Sequence, residues 1–234
     1  TSAVTAWEGL AELAVSNALG GIAAQTVFLA IADITYRKIN LEHAAASVSN
    51  VLQCTLLIFL LSIPLVAASV PQITFWGINL FSLALPIVYI SSLHMIYSAE
   101  RLPTWQPQMT PETREDVPET DSEDTNVPRL WGAFFLTAVI VGLSGWIVAK
   151  TGIELTNRTG LSQSAVGGVF TAVATSLPEL VTVIAAVRQG ALTLAVGDII
   201  GGNSFDVLFI AVADVAYRDG SIYHAIKQHQ YFLF

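Results

Sequence analysis

The chain of 234 residues is 53% hydrophobic and only 12% charged, with a mean hydropathy of +0.62, whereas an ordinary soluble domain carries about 25% charged residues. So little charge cannot coat a soluble globule. Ten Lys+Arg against 18 Asp+Glu give a net charge of -8, the wrong sign for a phosphate-binding surface, so nucleic acid is not an expected partner.

Six apolar segments follow one another, at about 10–36, 46–69, 73–98, 130–150, 164–187 and 192–217, and a seventh run starts near Tyr223. Each is close to the ~20 residues that cross ~30 Å of hydrocarbon at a helical rise of 1.5 Å. None alternates apolar with polar as a barrel strand does. The joints between them are polar or helix-breaking: Arg37-Lys38-Ile39-Asn40, Pro71-Gln72, Thr156-Asn157-Arg158-Thr159-Gly160, Arg188-Gln189-Gly190 and Arg218-Asp219-Gly220. The pattern predicts an all-α, polytopic transmembrane helix bundle, an integral multi-pass protein whose first partner is the lipid bilayer.

Smaller features take ordinary readings. The single cysteine, Cys54, lies in the run 51–57 and reads as a small buried hydrophobe. Trp76, Trp131 and Tyr97 fall near predicted helix ends, where aromatic rings anchor at the interface. His94, late in an apolar segment, reads as a packing residue, and Asp33 with Arg37 and Asp214 with Arg218 as i,i+4 ion pairs at the interface. The chain has neither an initiator Met nor a signal-peptide layout, and it stops as an apolar run begins, so both ends look cut.

Residues 99–129 are the one hydrophilic block, with eight acids, three arginines and prolines at 103, 107, 111, 118 and 128. Such a segment buries too little apolar surface to offset chain entropy, and it reads as a disordered linker between an N-terminal half, 1–98, and a C-terminal half, 130–234. An alternative is a cation-sensing or phosphorylated segment at Thr110-Pro111-Glu112. Alternating spans put six of the ten basic residues (Arg37, Lys38, Arg101, Arg114, Arg129 and Arg188) on the linker's side, which places the linker in the cytoplasm.

Sliding the chain on itself by 181 residues superposes 1–44 on 182–225 without a gap. Coincident pairs include Gly9/Gly190, Gly20/Gly201, Gly21/Gly202, Phe28/Phe209, Asp33/Asp214, Tyr36/Tyr217 and Arg37/Arg218. Shared apolar composition alone would not align two glycine pairs and an Asp-x-x-Tyr-Arg ending at one register. The helix starting near Leu10 and its copy near Leu192 are five spans apart, an odd number, so the copies are expected to cross in opposite directions. Inverted repeats of this kind build many secondary transporters, with the ions held near the midplane at the repeat interface.

The second copy carries the chemistry: Thr175-Ser176-Leu177-Pro178-Glu179, a joint around Arg188, then Gly201-Gly202-Asn203-Ser204-Phe205-Asp206. Pro178 cannot hydrogen-bond the carbonyl of Ala174, and Gly201-Gly202 is expected to loosen the facing helix. Counted from the joint at 188–192, Glu179 and Asp206 lie roughly 14 and 21 Å along their helices, well inside the hydrocarbon. An ionised acid there is costly unless paired, and no Lys or Arg lies near either in its segment, so a cation from solution is the natural partner. Two carboxylates, the hydroxyls of Thr175 and Ser176, the Asn203 amide and freed carbonyls are hard oxygen donors, suited to Ca²⁺ and Na⁺. The rival reading, two protonated acids tying helices together, leaves the proline and the glycines without a purpose. Asp198 and its counterpart Asn17 sit nearer the loop end and read equally as lining of an access path or as helix-start polar residues.

This pair of motifs resembles the second alpha repeat of the sodium/calcium exchanger family, the cation/Ca²⁺ antiporters, whose motifs run G-T-S-x-P-E and G-S-N-x-x-N/D. The second repeat covers about 164–217, and 1–36 resembles the tail of the first. The resemblance implies that Glu179 and Asp206 are the central acidic ligands, that Thr175 and Ser176 contribute oxygens, and that Asn203 supports the site. It also implies about ten spans in the whole protein, six of them here. Ala174 stands for the usual Gly, and Gly202 for the usual Ser. The first copy reads Gly20-Gly21-Ile22-Ala23-Ala24-Gln25, so Gln25 is the neutral counterpart of Asp206, and the counterpart of Glu179 falls three residues before Thr1.

The expected function is secondary antiport of Na⁺ against Ca²⁺ by alternating access, with both ions competing for the oxygens around Glu179 and Asp206 and no further cofactor. H⁺/Ca²⁺ or K⁺-dependent exchange is the alternative within the class. A cation channel is the rival outside it, but the sequence offers no repeated filter or acidic ring. An intramembrane enzyme is not expected, since no H-E-x-x-H occurs and His43, His94, His224 and His229 are dispersed. The 234 residues alone are not expected to transport.

Overall fold

The computed structural model describes residues 1–36, 40–101, 105–108, 110, 111, 113 and 127–227. Among these, six helices are long and apolar enough to cross a membrane. A short α1 (Ser2–Trp7) precedes α2 (Ala11–Tyr36), and α3 (Leu41–Ala44) leads into α4 (Val48–Ser69). A two-stranded hairpin, β1 (Thr74–Phe75) against β2 (Ile78–Asn79), then introduces α5 (Leu80–Arg101). The second half holds α6 (Val127–Thr159), α7 (Gln163–Ala165), a π-helical stretch over Val166–Thr171, α8 (Ala172–Gln189), α9 (Leu192–Asp206), α10 (Leu208–Ala216) and α11 (Ile222–Ala225). The chain is an integral, multi-pass helix bundle, with Ile58, Phe59, Ile87, Ile90, Phe134 and Phe135 pointing outward.

The centre is α2. Every residue from 11 to 19 is buried, while its second half exposes Val27, Ile31 and Ile34. It packs on α8 and the π-helical stretch, and on α9. Contact with the stretch is backbone on backbone: a Cβ at Gly20 would lie 2.3 Å from the carbonyl oxygen of Gly168, and one at Gly167 would lie 2.6 Å from that of Leu13. Only glycine permits such an approach, and small residues at a helix interface are how membrane helices gain packing without a hydrophobic driving force. Outside this core, α4 packs on α9 and α5, and α10 on α5 and α1, while α6 is the least buried of the six long helices.

Element boundaries recur at the 181-residue offset. α2 begins at Ala11 and α9 at Leu192, and α3 covers Leu41–Ala44 as α11 covers Ile222–Ala225. The turns before α2 and α9 both use a glycine with positive φ, Gly9 at 80° and Gly190 at 84°. The helix ends match as well. Asp33 Oδ1 accepts from Leu41 N at 2.7 Å, and Asp214 Oδ1 accepts from Ile222 N at 2.8 Å.

The second of these bonds corrects the reading of Asp214 with Arg218 as an interface ion pair. Asp214 is fully buried and also accepts from Asn79 N at 2.8 Å, so it ties the hairpin, α10 and α11 together, while the Arg218 guanidinium rests 4.9 Å from the centre of the Trp7 ring. Arg37 lies outside the described residues. Next to Asp214, Tyr223 is fully buried with its hydroxyl 2.8 Å from Ser82 Oγ, and burial pushes its phenol above the ordinary tyrosine range.

Other expectations shift. The third apolar segment starts as a hairpin, because Trp76 and Gly77, both at positive φ, turn the chain before Leu80. The fourth runs on through its polar joint to Thr159 and stops where Gly160 turns with φ 70°. Cys54 is exposed rather than buried, and His94 is exposed on α5 rather than packed. The sixth segment stays helical through Gly201-Gly202 and is interrupted instead at Val207. In the joint between the halves, residues 102–104, 109, 112 and 114–126 lie outside the described residues, as do 228–234, where the seventh run would continue. Thr110 is described, and its Oγ1 is 2.9 Å from His43 Nε2.

Candidate cation site

Three helices bring together the residues singled out from the sequence. The middle of α2 carries Gly20, Gly21, Gln25 and Thr26; α8 carries Thr175, Ser176, Pro178 and Glu179; the end of α9 carries Gly201, Gly202, Asn203 and Asp206. Gln25 is buried, and its Nε2 donates to Asp206 Oδ2 at 2.8 Å. These two residues are counterparts at the 181-residue offset, so the copies meet directly at the site. Asn203, also buried, donates from Nδ2 to Thr26 Oγ1 at 3.4 Å. Gly21 and Gly202 keep the helices close: a Cβ on the first would lie 3.4 Å from Ser176 Oγ, and on the second 3.7 Å from Gln25 Oε1.

Three carboxylates lie on α8 and α9. Glu179 lies near enough to feel the charge of Asp198, and Asp206 feels that of Glu179. Among the described residues, no three of His, Cys, Asp or Glu gather where one ion could touch them all, so any ion here needs neutral oxygens to complete its shell. Thr175 spends its hydroxyl proton on the Thr171 and Ala172 carbonyls, at 2.9 and 3.1 Å, which leaves the hydroxyl oxygen as an acceptor. Pro178 sits inside α8 without breaking it and leaves the Ala174 carbonyl with no N–H to receive. The π-helical stretch just before α8 is braced by Thr171, whose Oγ1 donates to Asn17 Oδ1 at 2.7 Å. Such widened turns are common at functional sites.

Four buried side-chain atoms of the described residues have no hydrogen-bond partner: Gln25 Oε1, Gln53 Oε1, Glu179 Oε2 and Asn203 Oδ1. All four are oxygen acceptors. Each of the three amides uses its NH₂ group as a tether, to Asp206, Ser49 or Thr26, and leaves its carbonyl oxygen bare. A buried polar atom without a partner costs about 1–3 kcal/mol, so a cluster of bare oxygens beside two carboxylates fits a hard cation and nothing that carries negative charge.

Gln53 was not singled out from the sequence. It lies on α4, and a Cβ at Gly201 would sit 3.0 Å from its Oε1. The one available signal was the pair of amide side chains, Asn50 and Gln53, in an otherwise apolar segment. Asn50 serves the fold, donating from Nδ2 to the Ala45 carbonyl at 3.2 Å.

Residues 129–231 match the family described as "Sodium/calcium exchanger protein". The chain is 26% identical over 209 residues, 89% of its length, to a "Putative antiporter CaxA" of Alkalimonas amylolytica. It is 34% identical over 98 residues, 42% of its length, to "Inner membrane protein YrbG" of Escherichia coli, and 33% identical over 73 residues, 31% of its length, to "Sodium/calcium exchanger MaX1" of Methanosarcina acetivorans. The matched parts span 62%, 30% and 20% of these three relatives respectively. No solved structure matches the chain significantly. Residues 129–231, which hold α8 and α9, are thus similar to the sodium/calcium exchanger family, and the chain along most of its length is similar to an antiporter.

Proposed function

We propose that the chain forms the helix core of a secondary active cation/Ca²⁺ antiporter that exchanges Na⁺ for Ca²⁺ by alternating access. The observation that carries the proposal is the Gln25–Asp206 hydrogen bond with bare oxygens on Gln25, Asn203 and Glu179 around it. Ca²⁺ takes six to eight oxygens and favours carboxylates, so Glu179 and Asp206 neutralise it while Gln25, Asn203, Thr175, Ser176 and the Ala174 carbonyl complete its shell. Na⁺ ions, each with a single charge, compete for the same oxygens. Gln25 holds Asp206 in place through its NH₂ group.

The two copies, in this reading, cross the membrane in opposite directions. They begin the first and the sixth of the six spans, an odd number of crossings apart, and their boundaries, their glycine turns and their aspartate caps recur at one offset. A pair of inverted copies that meet at the ion site has two related arrangements, one open to each side, as alternating access requires.

The test is Ca²⁺ uptake into membrane vesicles carrying the intact protein, driven by an outward Na⁺ gradient at fixed pH. Wild-type vesicles are expected to accumulate Ca²⁺ in proportion to the Na⁺ gradient, and Glu179→Gln or Asp206→Asn to reduce uptake at least a hundredfold while the protein still inserts. Undiminished uptake in both variants overturns the site. Uptake that follows a pH gradient and ignores Na⁺ transfers the coupling to protons.

A further inference from the structure

We propose that α4 supplies a cation ligand, the Oε1 of Gln53, and that the cavity it shares with Asp198 is a second cation station beside the Glu179–Asp206 pair. The proposal rests on the antiporter reading and extends it to a helix outside the two repeated copies.

The cavity lies between α4, α5 and α9, has a volume of about 290 Å³, and is lined by Gln53, Tyr89, Asp198, Gly201, Gly202 and Ser204 among others. At ~30 Å³ per water molecule it has room for a cation that keeps several of its waters. Asp198 supplies the charge. It is exposed, with Thr182 Oγ1 at 3.4 Å from its Oδ2, and the described residues form no ion pair with it.

Gln53 supplies the neutral ligand. Its Nε2 donates to Ser49 Oγ at 3.2 Å, one turn earlier on α4. That tether fixes the plane of the amide and turns Oε1 toward Gly201, where a Cβ would come within 3.0 Å. The oxygen is buried and unpartnered. A glutamine that served only to join helices would have found a donor for this oxygen, since leaving it bare is costly.

The station connects to the central pair. Gly201 faces Gln53 and Gly202 faces Gln25, so the adjacent glycines open two sides of α9 to two bare amide oxygens. Asp198 and Asp206 are eight residues apart on this helix, roughly 12 Å at 1.5 Å per residue. The amide oxygens of Gln53 and Gln25 occupy the interval, so a hard cation passing from one acid to the other meets oxygen along the way. The expected occupants are Ca²⁺ and Na⁺ with part of their hydration retained.

The experiment measures the half-saturating Ca²⁺ concentration for uptake by the intact protein in proteoliposomes, together with the rise in melting temperature that Ca²⁺ gives the detergent-solubilised protein. Gln53→Leu removes the oxygen at similar volume and is expected to raise half-saturation about tenfold, with a smaller effect on the maximal rate, and to reduce the Ca²⁺-dependent rise in melting temperature. Gln53→Glu, of the same size, is expected to lower half-saturation severalfold. A residue that only joins helices would move the melting temperature without Ca²⁺ and leave both Ca²⁺ readouts alone. Wild-type half-saturation in both variants overturns the station, and if Gln53→Leu fails to insert, an unchanged value in Gln53→Glu does so by itself. Glu179→Gln, measured alongside, separates the two claims. Loss of uptake there with no effect at Gln53 removes the station alone, whereas full uptake in Glu179→Gln removes the central site on which it depends.

Discussion

At the scale of single residues, what decides a polar side chain's role is where its second atom goes. Gln25, Gln53 and Asn203 each tie down an NH₂ group and leave an oxygen bare, while Asp214 satisfies itself on two backbone N–H groups. Asp214→Ala is expected to destabilise the protein by about 2–5 kcal/mol, since it strands two buried donors. Arg218→Ala, which loses a cation–π contact with Trp7, is expected to cost only about 0.5–1 kcal/mol. Thermal unfolding in detergent measures both; equal losses would restore the ion-pair reading of Asp214. The sequence suggested that pair because Arg218 stands four residues away, whereas one true partner, Asn79, is 135 residues distant. Gln25 was legible because the repeat aligned it with Asp206. Gln53 has no repeat partner within the superposed segments, and nothing in the order of the chain points from α4 to Gly201.

At the scale of elements, the helices were legible because apolar runs of membrane-spanning length leave few alternatives, and their ends mostly were not. Hydropathy does not register that Trp76 and Gly77 fold the start of the third run into a hairpin, or that α6 runs on to Thr159. Glycines were read as places where a helix loosens, yet α2 and α9 pass through theirs unbroken. Their purpose is close approach, which depends on what lies across the interface. Gly20→Ala is therefore expected to be strongly destabilising, by about 2–4 kcal/mol or to the point of failed insertion, because backbone at 2.3 Å cannot yield. Gly132→Ala on α6, which meets nothing within 4 Å, is expected to be neutral or slightly stabilising. Melting temperatures of the two variants in the same detergent check the contrast, and similar values would mean that α2 does not touch the π-helical stretch.

At the scale of the whole molecule, the low charge and high hydropathy announced a membrane protein, and the motif pair on α8 and α9 pointed to the family that residues 129–231 match. The charge of -8 separates into two populations. Most of the acids lie between the halves or at the helix ends, and a few lie along α8 and α9, where no lysine or arginine among the described residues forms an ion pair with them. The central claim is that those few, with the bare amide oxygens around them, hold the transported cation. It is tested most directly by equilibrium binding of radioactive Ca²⁺ to the purified intact protein at rising Na⁺, without any transport step. The account predicts saturable binding that Na⁺ displaces and that Asp206→Asn abolishes with the fold intact by circular dichroism. Binding of Ca²⁺ to Asp206→Asn with wild-type affinity and wild-type Na⁺ competition would contradict it.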